Sequence, residues 1–210
     1  MIAVVDAGIG NLRSVYKAVA AVASDEVVLV DDASKLRHAD RIVVPGQGAF
    51  GDSAKALRPD APLGAAVVAH AKSGKPYLGI CLGLQLLFEH SEEAPGQPGL
   101  ALFPGAVKRL PAGAKDGDRA CKLPNIGWSD TRAANDRDEL DRALAGWFYF
   151  VHSYAAVVGD PRIMAASAAY GDHDFTAAVR RDNIVGVQFH PEKSQAAGLR
   201  FLEAFCRWQP

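Results

Sequence analysis

An α/β fold is predicted by three features of the 210-residue sequence: apolar runs without polar alternation in the first half, segments of helical periodicity between them, and a strand-rich second half with short turns. Strands that lack polar alternation and are separated by helices indicate a parallel sheet covered on both faces. The later strands read as antiparallel pieces added to that sheet. The expected architecture is three layers: a mostly parallel central sheet, helices on both faces, and an antiparallel extension. At this length a single domain spanning 1–210 is the economical expectation.

The elements follow in order. "IAVVD" (2–6) is a first strand, and "NLRSVYKAVAAV" (11–22) spaces Leu12, Val15, Tyr16, Val19 and Val22 at helical intervals. "EVVLV" (26–30) is a second strand. "SKLRHA" (34–39) is a short helix with Ser34 as its expected cap, and "RIVVPG" (41–46) is a third strand. Residues 50–72 are helical, interrupted around Pro59 and Pro62. "PYLGIC" (76–81) is a fourth strand, and a helix over 82–90 follows it directly. "SEEAPGQPGL" (91–100) is a loop by composition. Beyond it, "GAVKRL" (105–110), "WFYFVHSY" (147–154), "RIMAASAAY" (162–170), "FTAAVRR" (175–181) and "NIVGVQF" (183–189) read as strands, with a turn at "PAGAKDGD" (111–118). An amphipathic helix (194–208) closes the chain, with Leu199, Leu202, Phe205 and Cys206 expected on its inner side.

Composition narrows the function classes. Hydrophobic residues at 49 % and charged residues at 22 % are ordinary for a globular protein with a sizeable core. A formal charge of −1, without a run of like charges, gives no reason to expect nucleic acid or an anionic membrane as partner. No apolar stretch is long enough for a transmembrane helix, and the N-terminus reads as a strand, not a signal peptide. Three widely spaced cysteines (Cys81, Cys121, Cys206) argue against a disulfide framework and for the cytoplasm.

Open sheets of this kind place sites at the C-terminal ends of their strands. Two segments fall there. In "GICLG" (79–83) a cysteine sits between glycines at a strand-to-helix junction, the pattern of a nucleophile elbow with sulfur in place of oxygen. The following helix N-terminus favours thiolate there. Taken alone, the segment fits a small core residue between close-packed glycines equally well. The second segment, "PGQG" (45–48), can present successive backbone N–H groups as an anion-binding concavity, although most such sequences are simple turns.

A thiolate needs a base and a group to orient it. In "GVQFHPEKS" (186–194), strand alternation puts Gln188 and His190 on one face, opposite Val187 and Phe189. Glu192 stands two residues beyond His190, within reach of an imidazole nitrogen. His38, His70, His90 and His173 lack such a partner in sequence and read as surface loop residues.

Together these segments resemble the glutaminase domain of triad (class I) glutamine amidotransferases, which have a flavodoxin-like sheet. "GICLGLQLLFE", "QFHPE" and "PGQG" occur in that family's order and at similar intervals, over nearly the whole chain. "MIAVVDAGIGNLRSV", "PNIGW" (124–128), "FYFVHSY" and "HPEKS" (190–194) are similar to one branch of it. In that branch a glutaminase subunit forms a heterodimer with a separate (β/α)₈-barrel cyclase subunit. One departure is Ala7, where the branch commonly has an aromatic.

The resemblance implies hydrolysis of L-glutamine to glutamate and ammonia, with no metal and no cofactor. The ammonia passes to the cyclase, which makes imidazole glycerol phosphate and AICAR in L-histidine biosynthesis. It implies Cys81 as nucleophile, His190 as general base and acid, and Glu192 as orienter. It implies contacts to glutamine from Gly46, Gly48, Leu82, Gln85, His152, Ser153 and Tyr154, with backbone of Gly48 and Leu82 at the oxyanion hole. Asn11, Asn125, Trp128 and Lys193 are implied on or near the cyclase face, although Trp128 also fits a core anchor. Phe148 and Phe150 read as core. The resemblance further implies low glutaminase activity until the cyclase carries its ligand, and a peptide flip in "PGQG" suits that switch. Other acceptors for the ammonia, a non-catalytic regulatory subunit and an unrelated cysteine hydrolase are the alternatives.

Overall fold

Apolar residues at consecutive positions of the first strand send Ile2 and Val4 to one side of a sheet and Ala3 and Val5 to the other, and each side is covered. The structure is a computed structural model that describes residues 1–8 and 11–210. Ile9 and Gly10, within the N-terminal segment of the resemblance, lie outside the described residues.

The first half alternates as expected: β1 (Ile2–Val5), α1 (Leu12–Ala20), β2 (Val27–Val30), α2 (Ala33–Leu36), β3 (Arg41–Gly46), α3 (Phe50–Ala56), α4 (Pro62–Lys72) and β4 (Tyr77–Cys81). Pro62 starts α4 at a position where its missing N–H costs nothing. The cap of α2 is Asp32, not Ser34: its carboxylate accepts from the Ser34 N–H, 2.7 Å away. His70, expected on the surface, is buried against the Pro76 carbonyl, and burial lowers its pKa.

The helix expected over 82–90 is only α5 (Leu82–Gln85). The carbonyls that would continue it are taken by a distant loop. Leu100 N–H donates to Leu86, those of Leu102 and Phe103 to Leu87, and that of Ala101 to Phe88. The buried Leu86, Leu87 and Phe88 then wedge under that loop.

The remainder runs β5 (His90–Ser91), β6 (Gly105–Arg109), a small hairpin of β7 (Lys115–Asp116) and β8 (Arg119–Ala120), β9 (Asn125–Ala133), α6 (Glu139–Arg142), β10 (Gly146–His152) and β11 (Tyr154–Val158). It ends with β12 (Met164–Tyr170), β13 (His173–Arg181), β14 (Ile184–Val187) and α7 (Gln195–Arg207). β9 and α6 have no counterpart in the sequence reading. In α7 Leu202, Phe205 and Cys206 are buried as expected, joined by Gly198, Phe201 and Ala204, whereas Leu199 is 39 % exposed and does not belong to the inner face.

Among the described residues, nine strands form one sheet in the order β10-β9-β12-β13-β14-β4-β3-β1-β2. β14, β4, β3, β1 and β2 are parallel, and the other pairings are antiparallel. The parallel part carries α1 and α7 on one face and α2 and α4 on the other, each over its own apolar cluster. A second sheet, β11-β6-β5, packs against β13. The C-terminal ends of β3, β4 and β14 are adjacent, with Gly46 opposite Cys81 and Val187 opposite Ile80. "PGQG", the cysteine and the segment leading to His190 therefore emerge side by side.

Candidate active site

Cys81 is the last residue of β4, with φ 55 and ψ −105, a left-handed conformation that side chains rarely adopt. The glycines around it are demanded by packing. A Cβ on Gly79 would stand 2.4 Å from the Gly83 carbonyl oxygen, and one on Gly83 would stand 1.9 Å from that of Val44. The elbow is thus pressed against its own strand and against β3, which fixes the thiol at the edge of the sheet. Gly46 belongs to the same packing. Its Cβ would meet that of Leu82 at 2.6 Å, and Gly46, expected to contact glutamine, is not among the residues that line the cavity.

His190 follows β14 and is buried. Its N–H donates to the Tyr149 carbonyl, and the hydroxyl of buried Ser194 donates to its carbonyl while accepting from the Tyr149 N–H. Phe189, pointing the other way, stacks on Phe148 with centroids 3.9 Å apart and meets Phe150 edge-on. Both of those phenylalanines are core residues, as expected. His190 Nδ1 lies 2.9 Å from Glu192 Oε1, whose side chain is fully shielded from solvent. His190 Nε2 makes no hydrogen bond among the described residues, and Cys81 is the ionisable group that interacts with the ring on the side away from Glu192. Burial opposes charging the ring, but interaction with Cys81 and with Glu192 outweighs it and raises the pKa to about 9. The arrangement favours an imidazolium beside the sulfur.

A cavity of ≈ 360 Å³ opens over the thiol, lined by Gln47, Gly48, Cys81, Leu82, Gln85, Glu93, Pro124, Val151, His152, Ser153, Tyr154, His190 and Lys193. Six of the seven residues expected to contact glutamine are in that lining, together with Cys81 and His190. Gly48 has φ 107, a conformation that favours glycine.

The Tyr154 carbonyl organises one wall. It lies 3.0 Å from His152 Nδ1 and 3.0 Å from Gln85 Nε2, and a carbonyl can only accept. His152 is therefore the Nδ1–H tautomer, with Nε2 accepting from the Asn125 amide at 3.2 Å. Burial, helped by the charge of His190, lowers the His152 pKa to about 4, so the ring stays neutral. Gln85 gives its second Nε2 hydrogen to Gln188 Oε1 at 3.1 Å, which leaves its own carbonyl oxygen as the group it can offer a ligand.

The residues expected at a partner face divide. Asn11 is exposed at the start of α1, and Lys193 is exposed with its ammonium 6.0 Å from the Tyr149 ring. Trp128 is 42 % exposed and edge-on to Tyr149, which excludes the core-anchor reading. Asn125 is half-buried, and its amide nitrogen is taken by His152.

Among the lining or contacting residues not expected from sequence are Glu93, Gln47 and Gln188. Glu93 brings a carboxylate into the cavity, with Oε2 accepting from the Phe50 N–H at the start of α3. Its signal was an acid in a loop, which composition alone does not distinguish. Gln47 Nε2 lies 3.4 Å from His190 Nδ1. Gln188 is fully buried with Nε2 3.5 Å from the Cys81 sulfur, and its shared face with His190 was the available clue.

Comparison with known proteins points to one family. The family model described as glutamine amidotransferase class-I matches residues 3–207. A relative from Aquifex aeolicus, named imidazole glycerol phosphate synthase subunit HisH, is 44 % identical over 97 % of this chain and 95 % of its own. One of the same name from Nitrosomonas europaea is 46 % identical over 100 % of this chain and 99 % of its own. Among solved structures, one titled as PurLQS from Thermotoga maritima superposes with a TM-score of 0.71 at 22 % identity, covering 97 % and 96 % of the two chains. A crystal structure titled as a glutamine amidotransferase gives 0.69 at 20 % identity, covering 98 % of each. At those identities the solved structures bear on the fold alone.

Proposed function

The chain belongs to the class-I glutamine amidotransferases, and from that premise we propose that Cys81, His190 and Glu192 are the triad by which it hydrolyses L-glutamine. It is the glutaminase subunit of an imidazole glycerol phosphate synthase, acting in histidine biosynthesis. Residues 1–210 act as one amidotransferase domain. The observation that carries the triad is the meeting, in one cavity, of a left-handed Cys81 with a buried His190–Glu192 pair.

The reaction follows from the positions. The Cys81 thiolate attacks the side-chain amide carbon of glutamine, and the C=O electron pair moves onto oxygen. The oxyanion is met by backbone N–H groups of Leu82 and Gly48. As the tetrahedral adduct collapses, imidazolium of His190 protonates the leaving nitrogen and ammonia departs, leaving a thioester. Neutral His190 then takes a proton from water, the hydroxide attacks the thioester, and collapse of the adduct expels the Cys81 thiolate and releases the product, which loses its carboxyl proton to solvent as glutamate; thiolate and imidazolium are restored. Glu192 holds the ring and offsets its charge in both halves. Glu93 is placed to receive the substrate α-ammonium, and the Gln85 carbonyl oxygen can only accept a hydrogen bond from the substrate. His152, Ser153 and Tyr154 form the facing wall.

The partner is a (β/α)₈-barrel cyclase, docked over the cavity mouth on Trp128, Lys193, Asn11 and Asn125. Free thiols at Cys81, Cys121 and Cys206 are compatible with a reducing cytoplasm. The Gly48 peptide turns its N–H toward the oxyanion when the ligand-loaded cyclase binds. A liganded, fully active complex in which that peptide keeps its free-subunit orientation would refute the switch.

Replacing the nucleophile tests the triad. Cys81→Ala is expected to abolish glutamine-dependent synthesis while ammonia-dependent synthesis by the complex survives. Glutamate release by the variant at the unmodified rate would overturn the assignment.

A further inference from the structure

We propose that Gln188 is a catalytic residue of this site, donating an N–H to the Cys81 sulfur through a hydrogen-bond relay whose direction is set by the Tyr154 carbonyl. The inference rests on the reading of Cys81 as nucleophile. The direction follows without reference to any assigned amide orientation. A backbone carbonyl only accepts, so Gln85 must turn its NH₂ toward Tyr154 O, 3.0 Å away. The other hydrogen of that NH₂ meets Gln188 at 3.1 Å, so the facing Gln188 atom must be its oxygen. The remaining end of the Gln188 amide is then NH₂, and it faces Cys81 Sγ at 3.5 Å.

Burial makes the relay consequential. Gln188 is 0 % and Gln85 is 3 % exposed, so water does not compete for these groups. A buried polar side chain without partners is costly, and an apolar residue would fill the space as well. With its oxygen taken by Gln85, the amide's NH₂ end is left to present a donor to sulfur. A donor stabilises thiolate more than thiol, and it does so as a neutral group, without competing with the proton on His190. The pull on the sulfur also relaxes when charge leaves it in the thioester.

Other groups around the sulfur titrate as well. His190 faces it, with Glu192 behind the ring, and His152, Glu93 and Lys193 share the cavity. The test therefore isolates the sulfur. Iodoacetamide labelling of Cys81, read by mass spectrometry separately from Cys121 and Cys206, is followed across pH in the unmodified protein and in Gln188→Met. The expected result is labelling slower by about tenfold or more at neutral pH in the variant, with its pH profile displaced to the alkaline side. An unchanged profile in the folded variant overturns the inference.

The unmodified protein supplies a measurement that needs no Gln188 variant. With glutamine side chains ¹⁵N-labelled, the Gln188 Nε2 resonance is expected to shift with the same midpoint as the labelling profile, and to lose that dependence in Cys81→Ala. A resonance that ignores the sulfur titration refutes the donor. Glutamate release separates this inference from the reading beneath it. If Cys81→Ala still releases glutamate, the nucleophile assignment fails. If it is inactive while Gln188→Met labels normally, only the relay fails.

Discussion

Replacing Gly83 by alanine probes the contact that holds the elbow in place. The new Cβ would stand 1.9 Å from the Val44 carbonyl oxygen and 3.0 Å from its carbon. Both atoms belong to β3, a central parallel strand, so no flexible side chain can move aside. The start of α5 or β3 must retreat by about 1 Å, an overpacking strain worth about 3 kcal/mol or more. The gain from alanine in a helix offsets about 1 kcal/mol, leaving a net loss near 2–3 kcal/mol. For a chain of this size that lowers the thermal midpoint by roughly 5–10 °C. Gly51→Ala, whose Cβ would meet the Ala94 methyl at 3.3 Å and Gln97 Cγ at 4.0 Å, is the control: with the same helix gain of about 1 kcal/mol it should be no less stable than the unmodified protein. Glutamate release should fall more than stability does, because a displacement of about 1 Å between nucleophile and base costs about a hundredfold. Urea unfolding of Gly83→Ala within about 0.5 kcal/mol of the unmodified protein would refute the packing argument.

Glu192→Gln keeps the shape but removes the charge opposite His190, so kcat should fall by about 10²–10⁴ with little change in KM, and an unaltered kcat would deny Glu192 its role. Arg180 joins Asp138 and the buried Asp141, which keeps Arg137 as a second partner, so Arg180→Met should cost about 1–3 kcal/mol in urea unfolding. The exposed Arg162–Asp160 pair should leave the same measurement unchanged when it is broken. His152, held near pKa 4 against 6.5 unfolded, favours folding above pH 6.5; that stability, about 3 kcal/mol, is lost as pH falls from 6.5 through 4. His190 has the opposite sign, its contribution being full below pH 6.5 and lost as pH rises through about 9. A flatter acid limb in His152→Asn would bear out the first of these, and an unchanged one would contradict it.

The parallel half of the fold was legible because each of its strands is a short apolar run bounded by turn residues, and β3 was read to the residue. β9 was not, because its pattern is reversed. Ile126 and Trp128 face outward, and the buried position of the strand is Thr131, whose hydroxyl bonds the Leu144 and Gly146 carbonyls. α6 is too short to show a period, and it is held by the Asp138 cap and the Arg180 ion pairs, which are tertiary. The early end of α5 depends on a loop a dozen residues away, which no local periodicity encodes.

At the site, Cys81, His190 and Glu192 were readable because each lies beside a backbone signal: flanking glycines, a strand end, a proline. The packing reason for Gly46 was not legible, since the Leu82 side chain that excludes a Cβ there comes from the elbow of another strand. Glu93 and the direction of the Gln85–Gln188 relay could not be read, since the first depends on the start of α3 and the second on one carbonyl of β11. Sequence pattern places residues on faces; the carbonyls that orient their amides come from elsewhere in the fold.

The most direct measurement of the central claim is glutamate release by this chain alone, with the cyclase, and with the cyclase carrying its ligand, each beside Cys81→Ala. The account predicts release that rises with the loaded cyclase and disappears in every Cys81→Ala arm. Release that persists without the Cys81 sulfur, or is absent from the loaded complex, would contradict it.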